Sequence, residues 1–163
     1  MEFQFVYADK ERLGSLMPQL FDILYDNMAA AYPTGGTREE DYDIWSRFFP
    51  GSLEDPARRL ILLYQKDQLI GNFQYHLAGG VLFMEDLQVR PEFHGSGLFR
   101  AFYGWLTHQL PRETQTVEAF TDKHNHKTQK ILEHLGLVNI GENKNGKSFH
   151  YQGEYQKLLD LYF

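Results

Sequence analysis

VLFMEDLQVRPEFHGSGLFRAF, residues 81 to 102, decides the reading of this 163-residue chain. Residues 81 to 89 are mostly apolar and β-prone, with two adjacent acids, Glu85 and Asp86, near the middle. Pro91 ends that strand, because proline has no N–H to give to a sheet ladder. Gly95 and Gly97 bracket Ser96, and Leu98, Phe99, Ala101, Phe102 and Trp105 then fall at helical spacing. A glycine turn feeding a helix N-terminus is an anion site in waiting, since free N–H groups point out of the helix end and the dipole favours negative charge. The stretch therefore predicts a phosphate-bearing ligand beside two carboxylates on a strand. Many Gly-x-Gly turns bind nothing, however, so spacing alone does not settle the point.

Other phosphate and nucleophile motifs fail on inspection. Position 100 is Arg100, not the third glycine of a dinucleotide fingerprint, and no Gly-Lys-Ser/Thr of a P-loop follows. Ser96 is not in a nucleophile elbow, because His94 stands where Gly-x-Ser-x-Gly requires glycine. The chain has seven histidines but no His-Glu-x-x-His, and histidines at a helix start are more often surface residues than zinc ligands. No metal is expected.

The rest of the composition narrows the class. A chain of 163 residues fits one domain, read here as 1–163, with a substantial core. A net charge of −6 argues against nucleic acid. It suits a cationic substrate, although a mild acidic excess is also what keeps many proteins soluble. There is no cysteine, hence no disulfide, thiolate metal site or cysteine nucleophile. The start, MEFQFVYADKER, has no basic segment followed by an apolar run, and no stretch reaches 18 consecutive apolar residues. The expectation is a cytoplasmic protein with no membrane partner.

Taken in order, EFQFVY alternates as a strand, and Asp9 is a helix N-cap before Leu13, Leu16, Met17, Leu20, Phe21 and Leu24 at helical spacing. Pro18 predicts a late start or a kink there. Thr37 with Glu40 forms a capping box for a helix over 38 to 49, whose first-turn acids either favour the helix N-terminus or rim an amine site. Pro50 to Ala57 reads as a loop. Residues 58 to 90 read as a three-stranded antiparallel meander, and the helix from 98 crosses over to a parallel strand, TQTVEAFT. Asn125 caps HKTQKILEHL, and Gly136 is its left-handed C′ residue, with Leu137 packing back on Leu132. A hairpin turning at Asn145-Gly146 and an amphipathic tail, EYQKLLDLYF, complete the chain. The aromatic end of the tail should pack on the body or on a partner. It could pair two subunits as a homodimer, and the oligomeric state stays open.

The segment LQVRPEFHGSGLF resembles the acyl-CoA-binding signature of the GNAT acetyltransferase superfamily, Arg/Gln-x-x-Gly-x-Gly/Ala after a strand ending Val-x-Pro-x-Tyr/Phe. Val89, Pro91, Phe93, Gly95 and Gly97 match. MEDLQVRPEF is similar to the small-amine and polyamine acetyltransferases of that superfamily, which often carry a Glu-Asp pair on this strand. The segment from Asn125 to Leu137 resembles a later motif that flanks the pantetheine arm. Three positions differ: His94 for Arg/Gln, Phe99 for Gly/Ala, and Leu132 for the tyrosine that commonly protonates the leaving thiolate.

The resemblance implies an α/β (α+β) fold with a mixed, mostly antiparallel central sheet, helices on both faces and acyl-CoA where strands 4 and 5 splay. It implies acetyl-CoA, or another acyl-CoA, as cosubstrate and a small-molecule amine as acceptor. The cofactor would be held by Leu87, Gln88 and Val89 of the strand, by His94, Gly95, Ser96, Gly97, Leu98, Phe99 and Arg100 of the turn and helix start, and by Asn125 and Gln129. Glu85 or Asp86 would be the base, most often the position of Glu85. Alternation puts the two carboxylates on opposite strand faces. Two readings follow: an N-acetyltransferase acting by direct attack, or a degenerate CoA-binding or protein-interaction module with little turnover. The intact glycine turn and the acid pair favour the first; His94, Phe99 and Leu132 favour the second.

Overall fold

The computed structural model describes residues 2–163. The elements follow the order β1 (Phe3–Tyr7), α1 (Lys10–Met28), α2 (Arg38–Ser52), β2 (Arg58–Gln65), β3 (Gln68–Ala78), β4 (Val81–Val89), α3 (Leu98–Gln109), β5 (Thr116–Asp122), α4 (His126–His134), β6 (Val138–Glu142), β7 (Ser148–Glu154) and α5 (Tyr155–Tyr162). The strands form one sheet in the order β1-β2-β3-β4-β5-β7-β6. It is mostly antiparallel, and the β4/β5 pair is parallel, as a strand–helix–strand crossover requires. The fold class expected from the sequence is the fold observed.

The residues group into two compact units. One comprises the chain up to Gln74 with Asp86–Leu98; the other comprises Tyr75–Glu85 and Phe99–Phe163. In the first, α1 buries Leu13, Met17, Leu20 and Ile23 against Leu60, Leu62 and Leu69 of β2 and β3. Asp9 caps α1 through its carboxylate to the Arg12 N–H at 2.7 Å. The helix runs unbroken through Pro18, contrary to the expected late start or kink. An interior proline costs about 3 kcal/mol, and each fully buried large apolar side chain returns about 1.5–3 kcal/mol, so the buried stripe outweighs it.

Helix α2 also passes its proline, Pro50, and ends at Ser52 rather than 49. Its aromatic face builds a ring cluster with α1: Phe21 lies 5.2 Å from Tyr42 and 5.4 Å from Trp45, and Trp45 stacks on Phe49 at 4.7 Å. The first-turn acids do local work. Asp41 accepts from the Thr34 hydroxyl at 2.7 Å, and Glu40 gives its N–H to Thr37 at 3.1 Å. Both bonds support the capping explanation for these acids.

Gly71 on β3 marks a close approach. A Cβ built there would lie 2.5 Å from the Gln88 carbonyl oxygen of β4. Gly71→Ala is therefore expected to cost about 1–3 kcal/mol, read as a fall in the urea midpoint with an unchanged slope.

In the second unit, Leu82, Phe102, Leu106, Val117, Leu135 and Leu158 are almost fully buried. Gly136 ends α4 with φ +91°; the Leu137 N–H reaches the Leu132 carbonyl at 3.0 Å and the Gly136 N–H that of Glu133 at 3.0 Å. This is the double bond pattern of a Schellman cap. The tail forms α5 and packs on its own chain: Tyr162 lies 5.3 Å from Tyr103, and Phe163 stacks on His108 at 4.2 Å. Among the described residues, no helix is long and apolar enough to cross a membrane.

Candidate active site

Strand β4 carries the site, and its two ends belong to different units. In the first unit, Asp86 is exposed and accepts from the Gln88 side-chain amide at 2.7 Å. The oxygen of that amide accepts in turn from Asn27 at 3.0 Å, and Asn27 also donates to the Val89 carbonyl at 3.1 Å. Gln88 is buried, so its amide must be satisfied inside the protein. The chain Asn27–Gln88–Asp86 does this, and it fixes the end of β4 to the last turn of α1. Leu87 is half-buried and Val89 buried. The Arg90 N–H donates to Ile70 at 2.9 Å, so the strand remains tied to β3 up to the turn.

Past Arg90 a 3-10 turn, Pro91–Phe93, leads into the glycine segment. The His94 N–H returns to Pro91 at 3.1 Å, and the Phe93 carbonyl accepts from both the hydroxyl and the N–H of Ser96, at 2.5 and 3.3 Å. Ser96 thus holds the turn closed from within. Gly95 and Gly97 stand at φ +75° and +86°, where L-residues are strained. Both are exposed, and a Cβ on either would meet nothing within 4 Å. Conformation, not space, demands glycine here. Among the described residues, neither the Gly95 nor the Gly97 N–H donates to a protein acceptor. Leu98 is buried, whereas His94 is exposed.

In the second unit, Glu85 is half-buried and shares a β4 face with Val81 and Phe83, while Leu82 and Met84 are buried on the other. The parallel register runs from Val81↔Thr116 to Met84↔Ala119; beyond it β5 continues to Asp122 and β4 to Val89. Phe83 stands beside Glu118, and Phe120 is paired with His150 of β7. One sheet face therefore presents Glu85, Phe83, Glu118, Phe120 and His150. Phe120 lies 5.4 Å from the Phe83 ring and 4.5 Å from the His150 ring. The imidazole Nε2 of His150 lies 2.7 Å from the Glu118 carboxylate.

The remaining candidates brace α4. Asn125 caps the helix by accepting from the Thr128 N–H at 3.1 Å, and the Gln129 amide donates to the carbonyls of Asp122 and Lys123 at 3.2 and 2.9 Å. Leu132 is buried. Tyr103 is buried as well, and burial, with the neighbouring Tyr162 second, raises its pKa well above the ordinary tyrosine value. Phe99 is half-buried and Arg100 exposed on α3. No group of three His, Cys, Asp or Glu side chains converges to hold a metal among the described residues.

The sequence reading missed Asn27, Glu118 and His150. Nothing local marks Asn27, whose partner is 61 residues away. Alternation along β7 places His150 on one face, but only the register puts Glu118 beside it. A separate cleft of about 440 Å3 in the first unit, lined by Asp9, Lys10, Leu13, Met17 and Arg58 among others, contains no residue of β4 or of the glycine turn.

The family model for acetyltransferases of the GNAT family matches residues 17–137, from α1 through the cap of α4. The chain belongs to the GNAT acetyltransferase family. That membership implies acetyl transfer from acetyl-CoA. Solved GNAT-fold structures superpose over nearly its whole length. An acetyltransferase from Thermus thermophilus matches with a TM-score of 0.75 at 17% identity, covering 94% of this chain and 97% of that one. The PaiA N-acetyltransferase from Thermoplasma acidophilum, solved with coenzyme A, gives 0.67 at 14% identity, covering 95% and 100%. A chimera of the Vibrio cholerae spermidine N-acetyltransferase SpeG gives 0.65 at 12% identity, covering 98% and 99%. A sequence comparison with curated proteins gives no match. In this GNAT protein the glycine turn and the acid pair lie within the matched segment.

Proposed function

We propose that this GNAT protein is an N-acetyltransferase that moves the acetyl group of acetyl-CoA to the primary amine of a small molecule, with Glu85 as base. The single observation that carries this reading is the glycine turn: two left-handed glycines with unengaged N–H groups, directly after a strand bearing an acid pair. Such N–H groups suit the pyrophosphate of coenzyme A. Residues 87–89 offer backbone edges for the pantetheine amides, and Asn125 and Gln129 hold the start of α4 that flanks the same arm in the family.

The chemistry is direct attack. The acceptor ammonium gives a proton to the Glu85 carboxylate, and the neutral amine attacks the thioester carbonyl. The C–N bond forms, the C–S bond breaks, and the CoA thiolate leaves and takes a proton. Alignment of the two substrates turns a bimolecular encounter into a positioned one, and a β4 N–H aimed at the oxyanion would lower the barrier further. Aromatic and acidic groups on the Glu85 face suit a cationic acceptor. Because one structural neighbour is a spermidine acetyltransferase, polyamines are the first class to assay.

Titration calorimetry with acetyl-CoA and with free CoA tests the reading, followed by turnover assays on spermidine, tyramine, glucosamine and an alanyl peptide. Expected is a Kd on the order of 10 μM, near −7 kcal/mol, with acetylation of at least one amine. Absence of binding at millimolar acetyl-CoA would overturn the enzyme reading and favour a protein-interaction role.

A further inference from the structure

We propose that Glu118 and His150 form a proton relay for the acceptor amine, with His150 carrying the proton from Glu85 to solvent and Glu118 positioning the ring. The inference rests on the acetyltransferase reading above. It starts from a hydrogen bond: Nε2 of His150 lies 2.7 Å from a Glu118 carboxylate oxygen. An ionised carboxylate can only accept, so the proton of the neutral ring sits on Nε2. That leaves Nδ1 with its lone pair outward, as in other carboxylate–imidazole dyads. Among the described residues, Nδ1 has no partner. The side chain is 25% exposed, enough to exchange with water, and that of Glu118 is 18% exposed.

Placement gives the pair something to do. Phe83↔Glu118 and Phe120↔His150 put both members on the sheet face that bears Glu85. Neighbouring strands lie about 4.8 Å apart, so β7 stands roughly 10 Å from β4, a gap that a water or two can bridge. Phe120, 43% exposed and tilted on the His150 ring at 4.5 Å, separates the two acids. Each turnover releases one proton from the ammonium. If Glu85 keeps it, the next ammonium finds no base. The proton passes from the Glu85 carboxyl to Nδ1 of His150, and the imidazolium, stabilised by Glu118, gives it to solvent. No electron changes owner and both groups return to their starting state. The other groups facing His150 are Asp122 on β5 and Glu85 on β4; on β6 its neighbour is Gly141, which does not titrate.

The test uses the full-length chain and the best acceptor among the four amines. His150→Gln is expected to lower kcat at least about tenfold below pH 8, with the acetyl-CoA Kd unchanged. It should also remove the inflection near the imidazole pKa of about 6.5 and recover rate when imidazole is added. Glu118→Gln keeps an acceptor for Nε2 but removes the charge, so the inflection should move to lower pH; this variant serves as the test if His150→Gln fails to fold. An active wild type whose rate and pH profile survive both substitutions overturns the relay alone. A wild type that acetylates none of the four amines overturns the relay together with the enzyme reading. Loss in His150→Gln with full activity in Glu85→Gln would overturn the hand-over from Glu85 while leaving acetyl transfer intact.

Discussion

Glu85→Gln lowers kcat/KM for the amine about 10²- to 10⁴-fold, the usual worth of a positioned general base, and leaves acetyl-CoA binding unchanged. Glutamine has the same shape and no basic oxygen for a proton, so the defect falls on the chemical step. The adjacent acid is the internal control. Asp86 is exposed and holds the Gln88 amide at 2.7 Å, so its carboxylate helps fix β4 rather than standing on the Phe83–Phe120 face. Asp86→Asn should therefore cost much less rate than Glu85→Gln. A steady-state comparison of the two variants decides between them: full activity in Glu85→Gln with collapse in Asp86→Asn would move the base to Asp86. The pH profile adds a second check, because loss of the base should flatten the acidic limb of kcat/KM.

The second large effect is on binding. Gly97→Glu is expected to weaken acetyl-CoA at least about 100-fold, near 2.7 kcal/mol. Two causes add. A non-glycine residue at φ +86° is strained by about 1–2 kcal/mol, and a carboxylate at an N–H cluster repels the pyrophosphate it should attract. Packing is not a third cause, since a Cβ at this position meets nothing within 4 Å. Gly97→Ala separates the two: it keeps the backbone strain without the charge, and should lose some stability but most of the affinity should remain. Calorimetry on the three proteins reads this directly. Unchanged binding in Gly97→Glu would place the ligand away from the turn.

How much of this was legible depended on the range of the interaction. Glycine at 95 and 97, the Asn125 cap and the Gly136 cap were all readable, because each concerns a residue and partners within five positions. The β4–α3–β5 crossover was readable because period and chirality leave one sensible connection. The prolines misled. Pro18 and Pro50 predict breaks in any isolated helix, yet α1 and α2 run through them, since the buried stripe of α1 and the ring cluster around Trp45 outweigh a missing N–H. The aromatic end of the tail suits body and partner alike by its sequence; α5 settles on α3, with Phe163 against His108.

The sequence by itself determined the order of elements, the fold class and the glycine turn, because these follow from periodicity, turn chemistry and φ preferences carried by neighbouring residues. Tertiary structure decided which polar side chains meet. Asn27 reaches Gln88 across 61 positions, and Glu118 meets His150 across 32. Such pairs depend on strand register and helix placement, and those are set by the whole core rather than by the residues that touch.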